Sequence, residues 1–172
     1  MNQETKTYGL YLGVASVLVS AIMYALGMFE LGGNNIALSV LSLVLMIAAF
    51  ILAGNALKKR QDGYMTFGEA FKTYLGIGVI ASIISTAWMA LFVFVLEPDY
   101  QQNMRDIQYE KMIEANPDMP EDQIEMALSM AEKFSSPVMI LVFGLVGAII
   151  FYLIIGAIMA AITKKNPPIF NN

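Results

Sequence analysis

The stretch Ile36–Arg60 reads IALSVLSLVLMIAAFILAGNALKKR. Residues 36–57 carry no charge, and Lys58, Lys59 and Arg60 follow at once. A helix that crosses the hydrocarbon core of a bilayer needs about 20 mostly apolar residues. An apolar run of this length that ends on three cations reads as a membrane span halted by cytoplasmic charge. Three other stretches have the same character, at about 8–29, 71–96 and 137–162. Their one charged residue is Lys72, in the first turn of the third.

Composition agrees. The 172 residues are 58% hydrophobic and 14% charged, with a mean hydropathy of +0.63. Soluble domains run nearer 45–50% apolar and about 25% charged. The first apolar run is about 22 residues long, too long for the h-region of a signal peptide, and no small-x-small cleavage site follows it. An uncleaved first helix is expected.

The loops set the orientation. Lys6, Lys58, Lys59, Arg60, Lys72, Lys164 and Lys165 all fall on one side of a four-span arrangement. The first loop has no Lys or Arg, only Glu30 and a Gly32-Gly33-Asn34-Asn35 turn. The stretch 97–136 has three basic residues (Arg105, Lys111, Lys133) against ten acidic ones. The positive-inside rule then places both termini in the cytoplasm and segment 97–136 outside it. The expected fold is all-α and integral to the membrane: one domain over 1–172, with four transmembrane helices and an extracytoplasmic helical hairpin at 97–136, between the third and fourth.

Helices in lipid associate through close packing at small residues. Gly9, Gly13, Ser16, Ser20, Tyr24 and Gly27 make such a face on the first span. Ser39, Ser42, Met46, Ala49, Ala53 and Ala56 make one on the second. Gly78, Ser82 and Ser85 serve the third, and Gly144, Gly147, Ala148, Gly156 and Ala160 the fourth. Packing inside one bundle explains them; an interface of Gly9-x-x-x-Gly13 with a second copy is the sharper alternative.

Cys and His are both absent. Disulfides, zinc sites built on Cys or His, and Ser/His or Cys/His catalysis are therefore excluded. No cofactor is expected. Transporters and proton pumps place ionisable groups within the membrane, and none lies at mid-span depth here.

Before the third span comes Tyr64-Met65-Thr66-Phe67-Gly68-Glu69-Ala70-Phe71-Lys72. Thr66 followed three residues later by Glu69 fits a capping box. Phe67, Phe71 and Tyr74 share a helical face suited to the headgroup region. Lys72 can snorkel to phosphates. A second reading makes Glu69 a ligand-binding or coupling residue at the mouth of the bundle.

The run Thr66-Phe67-Gly68-Glu69-Ala70-Phe71-Lys72, after a basic loop and before a third span, resembles the bacterial membrane family catalogued as domain of unknown function 4199. The Tyr8-Gly9-Leu10 opening and the segment Glu121-Asp122-Gln123-Ile124-Glu125-Met126-Ala127-Leu128 agree with it, and the likeness covers nearly the whole chain. Pro120 departs from the family's pattern, which has a Ser cap there. The resemblance implies Bacteroidota, hence an inner membrane with a periplasmic acidic segment. It implies no activity.

Within that segment, Pro98 ends the third helix and Asp99 is a candidate N-cap. Tyr100, Met104, Ile107 and Met112 or Ile113 give one apolar face. Asn116-Pro117-Asp118-Met119-Pro120 is a turn by composition. Pro120 suits the first position of a second helix. Ile124, Ala127, Leu128, Ala131 and Phe134 line that helix. Nothing matches an EF-hand loop, and ten acids read as a solvated face. With five methionines (Met104, Met112, Met119, Met126, Met130), the segment also suits an adaptable contact surface.

A non-enzymatic scaffold or modulator of a membrane partner is the leading expectation. A small oligomeric channel or transporter is the alternative. The expected partners are the lipid bilayer and a membrane protein or second copy, not nucleic acid.

Overall fold

The computed structural model describes residues 1–28, 36–134 and 136–167, with Lys133 and Phe134 described by backbone alone. Glu30, the Gly-Gly-Asn-Asn turn, the expected first-span end at Phe29, and Ser135 lie outside the described residues.

Among the described residues six α-helices follow in order: α1 Gln3–Ala25, α2 Ile36–Arg60, α3 Phe67–Leu91, α4 Tyr100–Ala115, α5 Glu121–Phe134 and α6 Pro137–Thr163. A π-helical turn, Phe92–Leu96, continues α3. Four of these elements are long and apolar enough to cross a membrane: α1, α2, α3 with its π turn, and α6. The protein is an all-α, multi-pass membrane protein.

The helix ends follow local chemistry. α1 begins at Gln3, ahead of the apolar run, because the Asn2 side chain accepts from the Thr5 N–H at 2.8 Å. It stops at Ala25, before the expected Phe29. The N–H of Gly27 bonds Tyr24 and that of Met28 bonds Met23, with Gly27 at φ +67°. This is a Schellman stop, and glycine supplies the left-handed residue that it needs. Gly27 therefore terminates α1 rather than extending its packing face; a Cβ there would meet nothing.

Lys58, Lys59 and Arg60 form the last turn of α2 rather than a loop, where cations complement the helix dipole. Two expected helix starts differ in detail. Asp99 stands at the N-cap of α4, but its side chain makes no capping bond. Pro120 precedes α5 instead of opening it: its carbonyl accepts from Gln123 and Ile124 at 3.0 and 3.2 Å. Ser136 caps α6, accepting from Met139 N–H at 3.3 Å, with Pro137 in the first turn.

α3 is the centre of the bundle, with α1 on one side and α6 on the other; α2 packs mainly on α1. Small residues allow these approaches. A Cβ on Gly9 would fall 2.9 Å from Ile80, and one on Gly13 2.6 Å from Ile84. Gly9 and Gly13 thus serve α1–α3 packing within one chain. Gly78 receives the Tyr152 ring, and Ser20 accepts from the Trp88 indole at 3.1 Å. Two expected faces are covered only in part: Met46, Ala49 and Ala53 of α2 and Gly156 and Ala160 of α6 are buried, whereas Ser39 and Ser42 are exposed and Gly144 and Gly147 meet no neighbour within 4 Å.

The main core gathers toward one end, around Phe50, Ala53, Leu57, Met65, Tyr74 and Ile77. Tyr74 is completely buried, stacked on Phe50 at 4.7 Å between ring centres. Its expected place in the headgroup region is thereby corrected. A smaller cluster of Phe92, Val93 and Tyr100 closes the other end, with Tyr24, Met104 and Ile140 against it.

Candidate functional site

The polar side chains collect at the two ends of the bundle. At the end carrying the basic residues, Thr66 and Glu69 form the capping box. The Glu69 carboxylate accepts from the Thr66 N–H at 2.8 Å and from its hydroxyl at 2.7 Å. Its other oxygen accepts from the Gln61 amide at 2.9 Å. Since a carboxylate only accepts, the amide nitrogen of Gln61 must face it. Glu69 thereby ties the α2–α3 turn to the start of α3.

The N-terminus is tied in beside it. Asn2 donates to the buried Thr73 hydroxyl at 2.9 Å. Arg60, at the end of α2, pairs with Glu4 at 2.8 Å. Glu4 is buried, and its second oxygen has no partner. The C-terminal end closes the group. Met65 and Lys165 exchange backbone bonds of 2.8 Å, and the Lys165 ammonium lies 5.6 Å from the Tyr64 ring centre. The Thr163 hydroxyl donates to Met159, so Tyr74 is the donor in their 2.8 Å bond. A cavity of about 330 Å³ lies among Asn2, Thr5, Gln61, Glu69, Lys72 and Thr73.

At the opposite end, Tyr24 donates to Glu97 at 3.1 Å, and Tyr24 and Phe92 meet edge to face. Burial pushes the Tyr100 phenol above its ordinary value. α4 and α5 touch one another, and Arg105 meets Glu132 at 2.8 Å. Ile124 and Leu128 are buried and Ile107 is half-buried. Ile113, expected as an alternative to Met112 on the apolar face of α4, is 40% exposed. Met126 and Met130 are exposed on α5. Phe134 closes α5, and its side chain lies outside those described.

The singled-out residues are therefore not one site. Phe67 stacks on Phe71 at 5.9 Å, Gly68 faces open space, and Lys72 is exposed beside the cavity. From there to Met104 and Leu128 the chain runs the length of α3 and its π turn, roughly 45 Å. Sequence reasoning missed Glu4, whose only signal was being an acid on the same side as seven cations. It also missed Asn2, a capping residue type just before the first helix. Among the described residues no group of three or more Asp or Glu side chains is placed to hold a metal ion.

A family model described as protein of unknown function (DUF4199) matches residues 7–165, nearly the whole chain. The chain belongs to this family. The DUF4199 match reaches into all four spans, whereas Asn2 and Glu4 lie ahead of it. Neither the curated proteins nor the solved structures give a match to the chain.

Proposed function

We propose that this DUF4199 protein is a non-enzymatic component of an inner, cytoplasmic membrane. In this reading both termini lie in the cytoplasm, and α4 and α5 form a hairpin on the periplasmic side that holds or modulates a membrane-protein partner.

One observation carries the partner reading. Ile124 and Leu128 are 3% and 2% exposed, whereas Met126 and Met130 are 66% and 62% exposed. Two residues along a helix is a turn of about 200°, so the methionines occupy the far face. The inner stripe is covered within the chain, yet the outer face still presents two large apolar side chains. Methionine is flexible and polarisable, and it suits contact surfaces that must adapt. Orientation rests on charge: seven cations lie at one end and an excess of seven acids at the other, which favours the basic end in the cytoplasm.

The channel alternative is less well supported. Phe50, Tyr74 and Ile77 fill the interior at 0% exposure. A pore would have to form between copies.

In-cell photocrosslinking tests the proposal. Crosslinkers at Met126 and Met130 are expected to capture one discrete partner, and Met126→Asp with Met130→Asp to abolish capture. Adducts no different from those at Gln101, exposed on α4, would remove the basis for a scaffold. For orientation, a thiol at Ser129→Cys is expected to react with an impermeant reagent in intact cells, and one at Asn166→Cys only after permeabilisation.

A further inference from the structure

α3 and α6 meet closely at the basic end and part toward the other. Tyr152 sits on Gly78, Tyr74 lies against Gly156, and Thr163 bonds Tyr74. Farther along, a crevice of about 240 Å³ opens between Ser82, Ser85, Thr86 and Met89 of α3 and Gly144 and Ala148 of α6. Its walls are mainly apolar. The Ser82 hydroxyl donates to the Gly78 carbonyl at 2.7 Å, and Ser85 and Thr86 can turn onto the preceding turn in the same way.

Depth identifies what reaches it. Met89 lies eight residues from Glu97 and Ser82 fifteen, roughly 12 and 22 Å along a helix. With a hydrocarbon core about 30 Å thick, the crevice occupies the half nearer Glu97 and reaches the middle. It is continuous with the lipid-facing surface, where Met139, Val142 and Phe143 are 41–55% exposed. Left empty, its lining would lose dispersion contacts on one side.

The crevice runs along Ser82–Met89, about 10 Å, and its space of about 240 Å³ is too small to take in even two turns of a helix 10–12 Å across. The geometry points to a single phospholipid acyl chain, from the leaflet on the Glu97 side, held in the α3–α6 crevice as a retained structural lipid.

Native mass spectrometry of the full chain in mild detergent tests this. One phospholipid per chain is expected to survive detergent exchange that strips surrounding lipid. Gly144→Leu with Ala148→Leu fills the crevice and is expected to lose that lipid at least tenfold. A Cβ at Gly144 meets nothing within 4 Å, so this variant is expected to fold, with helicity and elution volume unchanged. Equal retention in both proteins, or none in the wild type, overturns the assignment.

Should the double variant fail to fold, fluorescence decides. Trp88 is the only tryptophan, so Trp88→Phe gives a silent background. In that background Leu141→Trp reports the crevice and Val142→Trp the open bilayer. On transfer to tail-brominated phospholipid, Val142→Trp is expected to quench at once and Leu141→Trp at least tenfold more slowly. Equal, immediate quenching overturns the proposal, as does efficient disulfide crosslinking between two copies through Ala148→Cys.

Discussion

Gly78 of α3 is the seat of the Tyr152 ring of α6: a side chain on Gly78 would occupy the place of that ring. Tyr152 also lies beside Phe50, 6.3 Å between ring centres, so the contact joins α2, α3 and α6. In lipid, where apolar burial adds little between helices, such a fit is the main source of association.

Gly78→Leu is therefore expected to displace Tyr152 and destabilise the bundle by about 1–3 kcal/mol, the usual range for overpacking. Gly147→Leu, at a position with no neighbour within 4 Å, is expected to stay within about 0.5 kcal/mol of wild type. Thermal unfolding in detergent, followed by circular dichroism, compares them. Equal melting temperatures would show that the α3–α6 contact contributes nothing.

The capping box gives a local test. Thr66→Ala removes the acceptor of the Glu69 N–H and one donor to the Glu69 carboxylate, and is expected to cost about 1 kcal/mol. Glu69→Gln keeps an acceptor for the Thr66 N–H and is expected to cost less. Hydrogen exchange at residues 67–70 reads both. If Thr66→Ala leaves their protection unchanged, the box does not hold the start of α3.

That box was legible because it is a pattern of two residues, Thr66 and Glu69, three positions apart within one turn. The four spans were legible because length and hydropathy are properties of contiguous sequence. Tyr74 was misplaced for the opposite reason. Its neighbours Phe50 and Thr163 come from other helices, and no local pattern tells an aromatic at the interface from one buried beneath it. Gly27 shares the spacing of the α1 packing face, but its positive φ marks a helix stop. The spacing of Gly9 and Gly13 signalled close approach without saying to what; the answer, α3, required the fold.

Glu4 and Arg60 are the clearest pair beyond the reach of sequence. Glu4 is 7% exposed and has one partner, whereas Arg60 is 58% exposed. Arg60→Met strands a buried carboxylate, and Glu4→Gln leaves only a surface cation. The first change is expected to cost more, about 1.5–3 kcal/mol, and the double variant less than the sum. A double-mutant cycle measured by unfolding in detergent isolates the coupling. Strict additivity would mean that the ion pair does not fasten α1 to α2.

α5 offers the last test, because its two faces make opposite predictions. Ile124 is buried outside the four spans and Met126 is exposed. Ile124→Ala opens a gap at a buried position, and such losses run about 2–5 kcal/mol when the surroundings cannot collapse. The segment meets the spans through Tyr100 and Met104 at the start of α4, away from α5, so the damage is expected to stay local. α5 should loosen while the melting of the spanning helices is unchanged. Met126→Ala is expected to leave the fold intact within about 0.5 kcal/mol, yet to weaken any partner contact made by that face. Limited proteolysis on the side facing α4 and α5 separates the two. Cleavage near Lys133 should accelerate at least tenfold in Ile124→Ala and remain at the wild-type rate in Met126→Ala. Equal cleavage in all three proteins would mean that Ile124 does not hold α5 in place, and that the division into a structural and a contact face is wrong.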